Sequence, residues 1–284
     1  MEFKEPSKDL ETDSGKAEIK DAGRAQEDIQ IMKELEEQIP GSVQLLQEKY
    51  GIKEFHRYPI EVLIAQVQQE NEQLPYGLMV LPENDPNGAF SNLKPAILNL
   101  YKQLLGRYAL KVAESGSKFD LARKFISLNT KYGNENKIGF LFLGGHGLDQ
   151  GKGLMLGEYD TEIPRQENLK KGNAIWNEES ESSSVKTISE KYLNKDAEIV
   201  FLSCSTGIKE GVAEMYSASL ERKTTAPIIF VQLSNLQIKV SYDENSKPHF
   251  KTIFQNEEAL SAVYDHRPPS EESAELPSDT LNYF

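Results

Sequence analysis

Cys204 is the only cysteine of the chain. It ends a short apolar run, Ala197-Glu198-Ile199-Val200-Phe201-Leu202-Ser203, and is followed by Ser205-Thr206-Gly207. Upstream, Ile138-Gly139-Phe140-Leu141-Phe142-Leu143 ends in the same manner with Gly144-Gly145-His146-Gly147. One strand thus delivers a thiol at its exit and another an imidazole. A thiol attacks as the thiolate, and a neighbouring histidine is a common activating base. If the two strands are parallel neighbours, the side chains reach one sheet edge within about 5–7 Å of each other, given strand spacing. The glycines let backbone approach a bound carbonyl, and the amides of Gly147 and Cys204 are candidates for an oxyanion hole. The chemistry these residues point to is cysteine-dependent hydrolysis.

The elements around these two runs must do the positioning. Apolar spacing predicts helices over 24–39, 42–50 and 59–72. The pattern then changes to strand 76–81, helix 93–105, strand 108–113, helix 118–132 and strand 138–143. That alternation predicts right-handed crossovers and an α/β fold, an αβα sandwich with a mostly parallel central sheet and an N-terminal helical extension. Residues 157–186 read as a long irregular stretch. Helices are expected over 187–193 and 211–220, a strand over 228–233, and strands or a hairpin over 236–242 and 250–254. The predicted organisation is a disordered acidic tail (1–22), a helical region (23–75), the main domain (76–264) and a second disordered acidic tail (265–284).

Charge supports that division. Of the net charge of −13, about −6 falls in residues 1–40 and about −6 in 257–284, so the body is nearly neutral. A nucleic-acid partner would call for a basic face, and none is legible. No run approaches the ~18 apolar residues of a membrane span, so no membrane partner is expected. The segment Met1–Pro6 has no apolar signal core, and one cysteine allows no disulfide within the chain. Together these predict a cytoplasmic protein, of an oligomeric state the sequence leaves open.

Residues 76–254 resemble the caspase-like cysteine peptidases, the clan of caspases, metacaspases, legumain, gingipains, clostripain and separase. Two blocks carry the resemblance: the apolar strand ending in His146-Gly147, and the apolar strand ending in Ser203-Cys204. The cysteine block departs from the caspase form, because Cys204 is followed by Ser205-Thr206-Gly207; it is closer to separases and bacterial members. The resemblance implies a caspase-like fold and an endopeptidase acting on protein or peptide substrates. Cys204 would be the nucleophile, His146 the acid/base that protonates the leaving amine, and Gly147 and Cys204 the oxyanion amides. It implies no obligatory third carboxylate and no cofactor. Calcium activates some relatives, and the carboxylates here neither establish nor exclude it.

In this family the first strand's exit loop helps form the pocket for the residue before the scissile bond. That loop is Glu83-Asn84-Asp85-Pro86-Asn87-Gly88. Asp85 is then the candidate pocket floor, favouring cleavage after Arg or Lys, with Asp149 as a second candidate. Ser234 would lie beside the substrate backbone. The competing reading is a catalytically silent caspase-like scaffold whose helical region and acidic tails bind a partner protein. A serine esterase lacks its Gly-x-Ser-x-Gly elbow here. Metal-dependent hydrolysis lacks a ligand set among four scattered histidines.

Overall fold

The computed structural model describes residues 11–72, 74–132, 136–158, 165–255, 257 and 260–267. Three helices come first, α1 (Glu11–Gln38), α2 (Ser42–Tyr50) and α3 (Ile60–Gln68). They are followed by β1 (Tyr76–Pro82), α4 (Lys94–Leu104), β2 (Ala109–Ser115), α5 (Lys118–Tyr132), β3 (Ile138–Gly144), β4 (His146–Leu148) and β5 (Gly153–Met155). The second half contains α6 (Arg165–Lys171), β6 (Ala174–Trp176), α7 (Ser183–Tyr192), β7 (Leu193–Leu202), α8 (Val212–Leu220) and β8 (Thr224–Pro227). It ends with β9 (Gln237–Tyr242), β10 (Pro248–Ile253) and β11 (Ser261–Tyr264).

The main sheet has six strands in the order β11-β8-β7-β3-β1-β2. All neighbours pair parallel except β11, which runs antiparallel to β8 at one edge. β1 and β2 are buried at every residue, and β3 at all but Gly139. Runs this continuously apolar belong to strands covered on both faces, and helices flank the sheet accordingly. The α/β class and the mostly parallel sheet are as the alternating pattern predicts. No helix among the described residues is long and apolar enough to cross a membrane.

The N-terminal helices share the core of the sheet. Leu35, Leu46, Phe55, Tyr58 and Leu63 are fully buried in one cluster with Leu78, Phe142 and Phe201. They also finish an open edge. β2 has no strand beyond it, and a bare edge exposes unpaired amides and carbonyls. The Gln66 side chain on α3 takes the place of a strand there: its Nε2 donates to Val112 O (3.1 Å) and its Oε1 accepts from Val112 N (2.7 Å).

Several expected boundaries move. α1 begins at Glu11, inside the stretch 1–22 expected to lack structure; good helix formers such as Ala17, Glu18 and Lys20 extend the periodic segment upstream. The described residues between 165 and 186 are more regular than expected. They contain α6 and β6, and β6 joins β5 and β4 in a three-stranded antiparallel sheet. A three-residue strand is too short to show a period, so only the burial of Trp176 reveals it. The expected strand 228–233 lies earlier, at Thr224–Pro227. Pro227 has no amide to continue a ladder, and Ile228, Ile229 and Phe230 run on exposed at 37%, 43% and 70%. The hairpin expected over 236–254 forms as β9 and β10. Residues 1–10 and 268–284 lie outside the described residues, as do most of the two expected tails.

One buried polar cluster joins the N-terminal region to the carboxyl edge of the sheet. Arg57, 1% exposed, donates from Nη1 to Pro82 O (2.8 Å) and lies 3.6 Å from Glu114 Oε1. Burial pushes the Glu114 carboxyl above its usual range even beside that guanidinium. Removing one partner of a buried ion pair leaves the other charge uncompensated, at a cost of about 3–5 kcal/mol. Arg57→Met is therefore expected to lower stability by about that amount in chemical denaturation. Arg57→Met with Glu114→Gln is expected to recover part of the loss; an Arg57→Met protein with an unshifted midpoint would contradict this role.

Candidate active site

The topology decides where a site can form. From β1 the chain crosses outward to β2, then returns to lay β3 on the other side of β1 and continues to β7 and β8. The loops leaving β1 and β3 diverge, which opens a crevice at the carboxyl edge between them. β3 and β7 are parallel neighbours with Gly144 opposite Leu202. His146 and Cys204, each two residues further on, emerge side by side. Both glycines flanking His146 are required there. A Cβ on Gly145 would meet Met155 O at 2.5 Å, and one on Gly147 would overlap the carbonyl oxygen of Cys204.

Behind His146 stands Asp85, from the β1 exit loop. Its side chain is fully buried, and His146 Nε2 lies 3.3 Å from Oδ1. That is an ion-pair distance without the alignment of a hydrogen bond, since Nε2 is buried and makes none. The carboxylate also accepts from the amides of Ala89 (3.0 Å to Oδ1) and Phe90 (2.9 Å to Oδ2). Burial alone would raise the Asp85 carboxyl. The His146 ring, the Phe90 amide and the Arg57 guanidinium together hold it below its ordinary value of 3.8. Phe90 packs edge-to-face on the imidazole, with centroids 5.4 Å apart and planes at 83°. The ring is thus held by an anion on one side and an aromatic on another.

The thiol is half-buried and donates to Val231 O at 3.6 Å. The next residue, Ser205, has φ +59, a left-handed conformation that costs a non-glycine residue of order 1–3 kcal/mol. The turn is pinned by Ser205 N to Ile229 O (2.9 Å), Gly207 N to Pro227 O (2.7 Å) and Thr206 Oγ1 to Ser203 O (3.1 Å). Among the described residues the Cys204 amide makes no hydrogen bond. Gly147 sits in β4 opposite Leu154. Among the described residues the buried Ser203 hydroxyl has no hydrogen-bond partner.

The other expected site residues separate. Asp85 is at the crevice, but as the group behind the imidazole, with both oxygens engaged and no exposed surface; it does not floor an open pocket. At Asp85 the expected pocket floor has no exposed carboxylate, and a carboxylate stands behind His146 where none was named. Asp149 is exposed in the turn after β4. That turn reaches the nucleophile's turn, since Gly151 lies against the backbone of Ser205 and Thr206. Because β8 ends at Pro227, Ser234 falls in the helical turn Leu233–Asn235 and lines a separate groove with Ser91, Asn92 and Lys94. Val231 and Phe90 were not singled out by the sequence; a carbonyl contact and a ring contact carry no motif. Among the described residues no three His, Cys, Asp or Glu side chains come together as a metal group.

No protein-family model matches the chain, and no curated protein matches it.

A depressed carboxyl in the folded state stabilises the fold at pH above its unfolded value, here 3.8, and loses that contribution as pH falls through the folded pKa. Asp85→Asn is therefore expected to be less stable than the wild type near neutral pH, with the gap narrowing on acidification below 3.8. Urea midpoints of both proteins near neutral pH and at about pH 3 test this. A gap that stays constant between the two pH values would remove Asp85 from the role of ionised partner to His146.

Proposed function

We propose that the chain is a cysteine endopeptidase of caspase-like type. The observation that carries this reading is the emergence of Cys204 and His146 side by side from adjacent parallel strands, with the buried Asp85 carboxylate behind the imidazole. An orienter, a base and a nucleophile in that order is the general arrangement of activated-nucleophile hydrolases.

The chemistry follows in four steps. The thiol turns from the Val231 carbonyl and gives its proton to His146. The sulfur then attacks the substrate carbonyl carbon. The resulting oxyanion is met by the free Cys204 amide, with Gly147 as the second candidate donor. His146, now cationic beside Asp85, protonates the leaving amine as the C–N bond breaks. That leaves a thioester on Cys204. Water, losing a proton to His146, hydrolyses the thioester and frees the acid product. Asp85 does not change protonation state; it keeps the ring oriented.

Cleavage after a basic residue rested on Asp85, whose oxygens are engaged within the protein. Of the two carboxylates considered for that pocket, Asp149 alone stays exposed near the site, and basic preference is not part of the proposal. The catalytically silent scaffold remains the outcome if the chemistry fails.

Incubation of the wild type with a peptide library, with cut sites read by mass spectrometry, tests the function. Cys204→Ala is expected to abolish cleavage and labelling by an electrophilic peptide probe. His146→Ala is expected to slow cleavage by about 10²–10⁴-fold, the usual contribution of a general acid–base. Cleavage that survives in Cys204→Ala would overturn the assignment.

A further inference from the structure

The segment after β8 crosses the nucleophile. Ile229 O accepts the Ser205 amide at 2.9 Å, and Val231 O accepts the Cys204 thiol at 3.6 Å. Phe230 lies between these two contacts, one Cα step of about 3.8 Å from each residue that makes them. Its own side chain is 70% exposed, with Ile229 at 43% and Ile228 at 37%. Three consecutive large apolar residues in solvent are unfavourable on a surface that has no use for them. Here they stand beside the single cysteine. The main chain of Phe230 makes no hydrogen bond among the described residues, which leaves an amide and a carbonyl with which an extended peptide can pair. Val231, next in the chain to Phe230, is buried and apolar. The carboxylate that would have drawn a basic side chain, Asp85, has no exposed surface.

Building on the peptidase reading, we propose that the preferred substrate carries a large apolar side chain at one of the two positions preceding the scissile bond, and that Ile229 and Phe230 receive it. Leu, Phe or Met at that position covers the exposed lip while the peptide backbone runs along Phe230. The lip is thus a specificity determinant, and the chain selects apolar peptides where the family resemblance led one to expect basic ones.

The experiment compares wild type, Phe230→Ala and Phe230→Leu on matched peptides that carry Leu, Ser or Lys at the position the library profile identifies. The wild-type profile is expected to be enriched in Leu, Phe and Met. The kcat/KM ratio of the Leu to the Ser peptide is expected to fall about tenfold in Phe230→Ala, the scale of losing apolar contact in a specificity pocket. The ratio should return in Phe230→Leu. Phe230 is exposed, so thermal unfolding midpoints equal to the wild type's are expected for both variants. Enrichment in Lys or Arg, or a Leu-to-Ser ratio unchanged in Phe230→Ala, overturns the apolar lip and leaves the peptidase standing. A wild type that cuts nothing, with Cys204 unlabelled by the electrophilic probe, overturns the peptidase reading and the lip with it.

Discussion

A carboxylate with no exposed surface cannot keep its charge without partners, and Asp85 is such a group. Two amides of its own turn, the imidazole of His146 and the field of Arg57 supply them. Each partner is thereby fixed in turn. The Ala89 and Phe90 amides fold the β1 exit loop back on itself, which sets the Phe90 ring edge-on to the imidazole. The imidazole cannot swing away without leaving the anion unpaired. The divergence of the β1 and β3 exits makes the arrangement possible, because it opens space where the two loops meet. The geometry of the whole carboxyl edge depends on satisfying this one buried charge.

That dependence reaches into the first quarter of the chain. Arg57 precedes α3 and belongs to the helical region, yet its guanidinium donates to the last carbonyl of β1, at Pro82. Beside it, His56 accepts support from α1: Asp28 Oδ1 takes the His56 amide at 2.6 Å and lies 3.0 Å from Nδ1. Nε2 of His56 lies 3.4 Å from Ser91 Oγ, next to Phe90. With Gln66 occupying the bare edge of β2, the N-terminal helices are continuous with the domain in core, edge and polar network. Treating them as a removable addition misses that they brace the loop from which Asp85 extends.

The legible part of this protein was the part written in periodicity and in strand-exit chemistry. Two apolar runs ending in Gly-Gly-His-Gly and Ser-Cys predicted strands of one parallel sheet with their adjacency left open, and the pairing of Gly144 with Leu202 makes them neighbours. What escaped was set by tertiary context. Asp85 sits in Asn-Asp-Pro-Asn-Gly, a sequence that any surface turn can have; its burial comes from Arg57 and His146, distant in the chain. The Ile228-Ile229-Phe230-Val231 run has high β propensity, but propensity yields to what neighbours are available. Its neighbour β7 ends pairing at Val200 opposite Thr225, so the run leaves the sheet before its apolar side chains begin. The same offset puts Ser234 in the helical turn Leu233–Asn235 and not directly after a strand.

Costs of two kinds meet at the Cys204 edge. A charge is buried at Asp85, and Ser205 is held in a left-handed conformation immediately after the thiol. Neither is needed to close the sheet, whose strands are covered and paired without them. The fold tolerates both because they are local and braced: Ser205 by the Ile229 carbonyl, Asp85 by two amides and a guanidinium. Local rules broken together on the edge where open α/β sheets bind ligands are what the proposed site calls for. A scaffold needing only a surface would relax the strain after the thiol with a glycine at 205. The chain keeps a serine there, at the edge where the strands that lead to Cys204 and His146 end side by side.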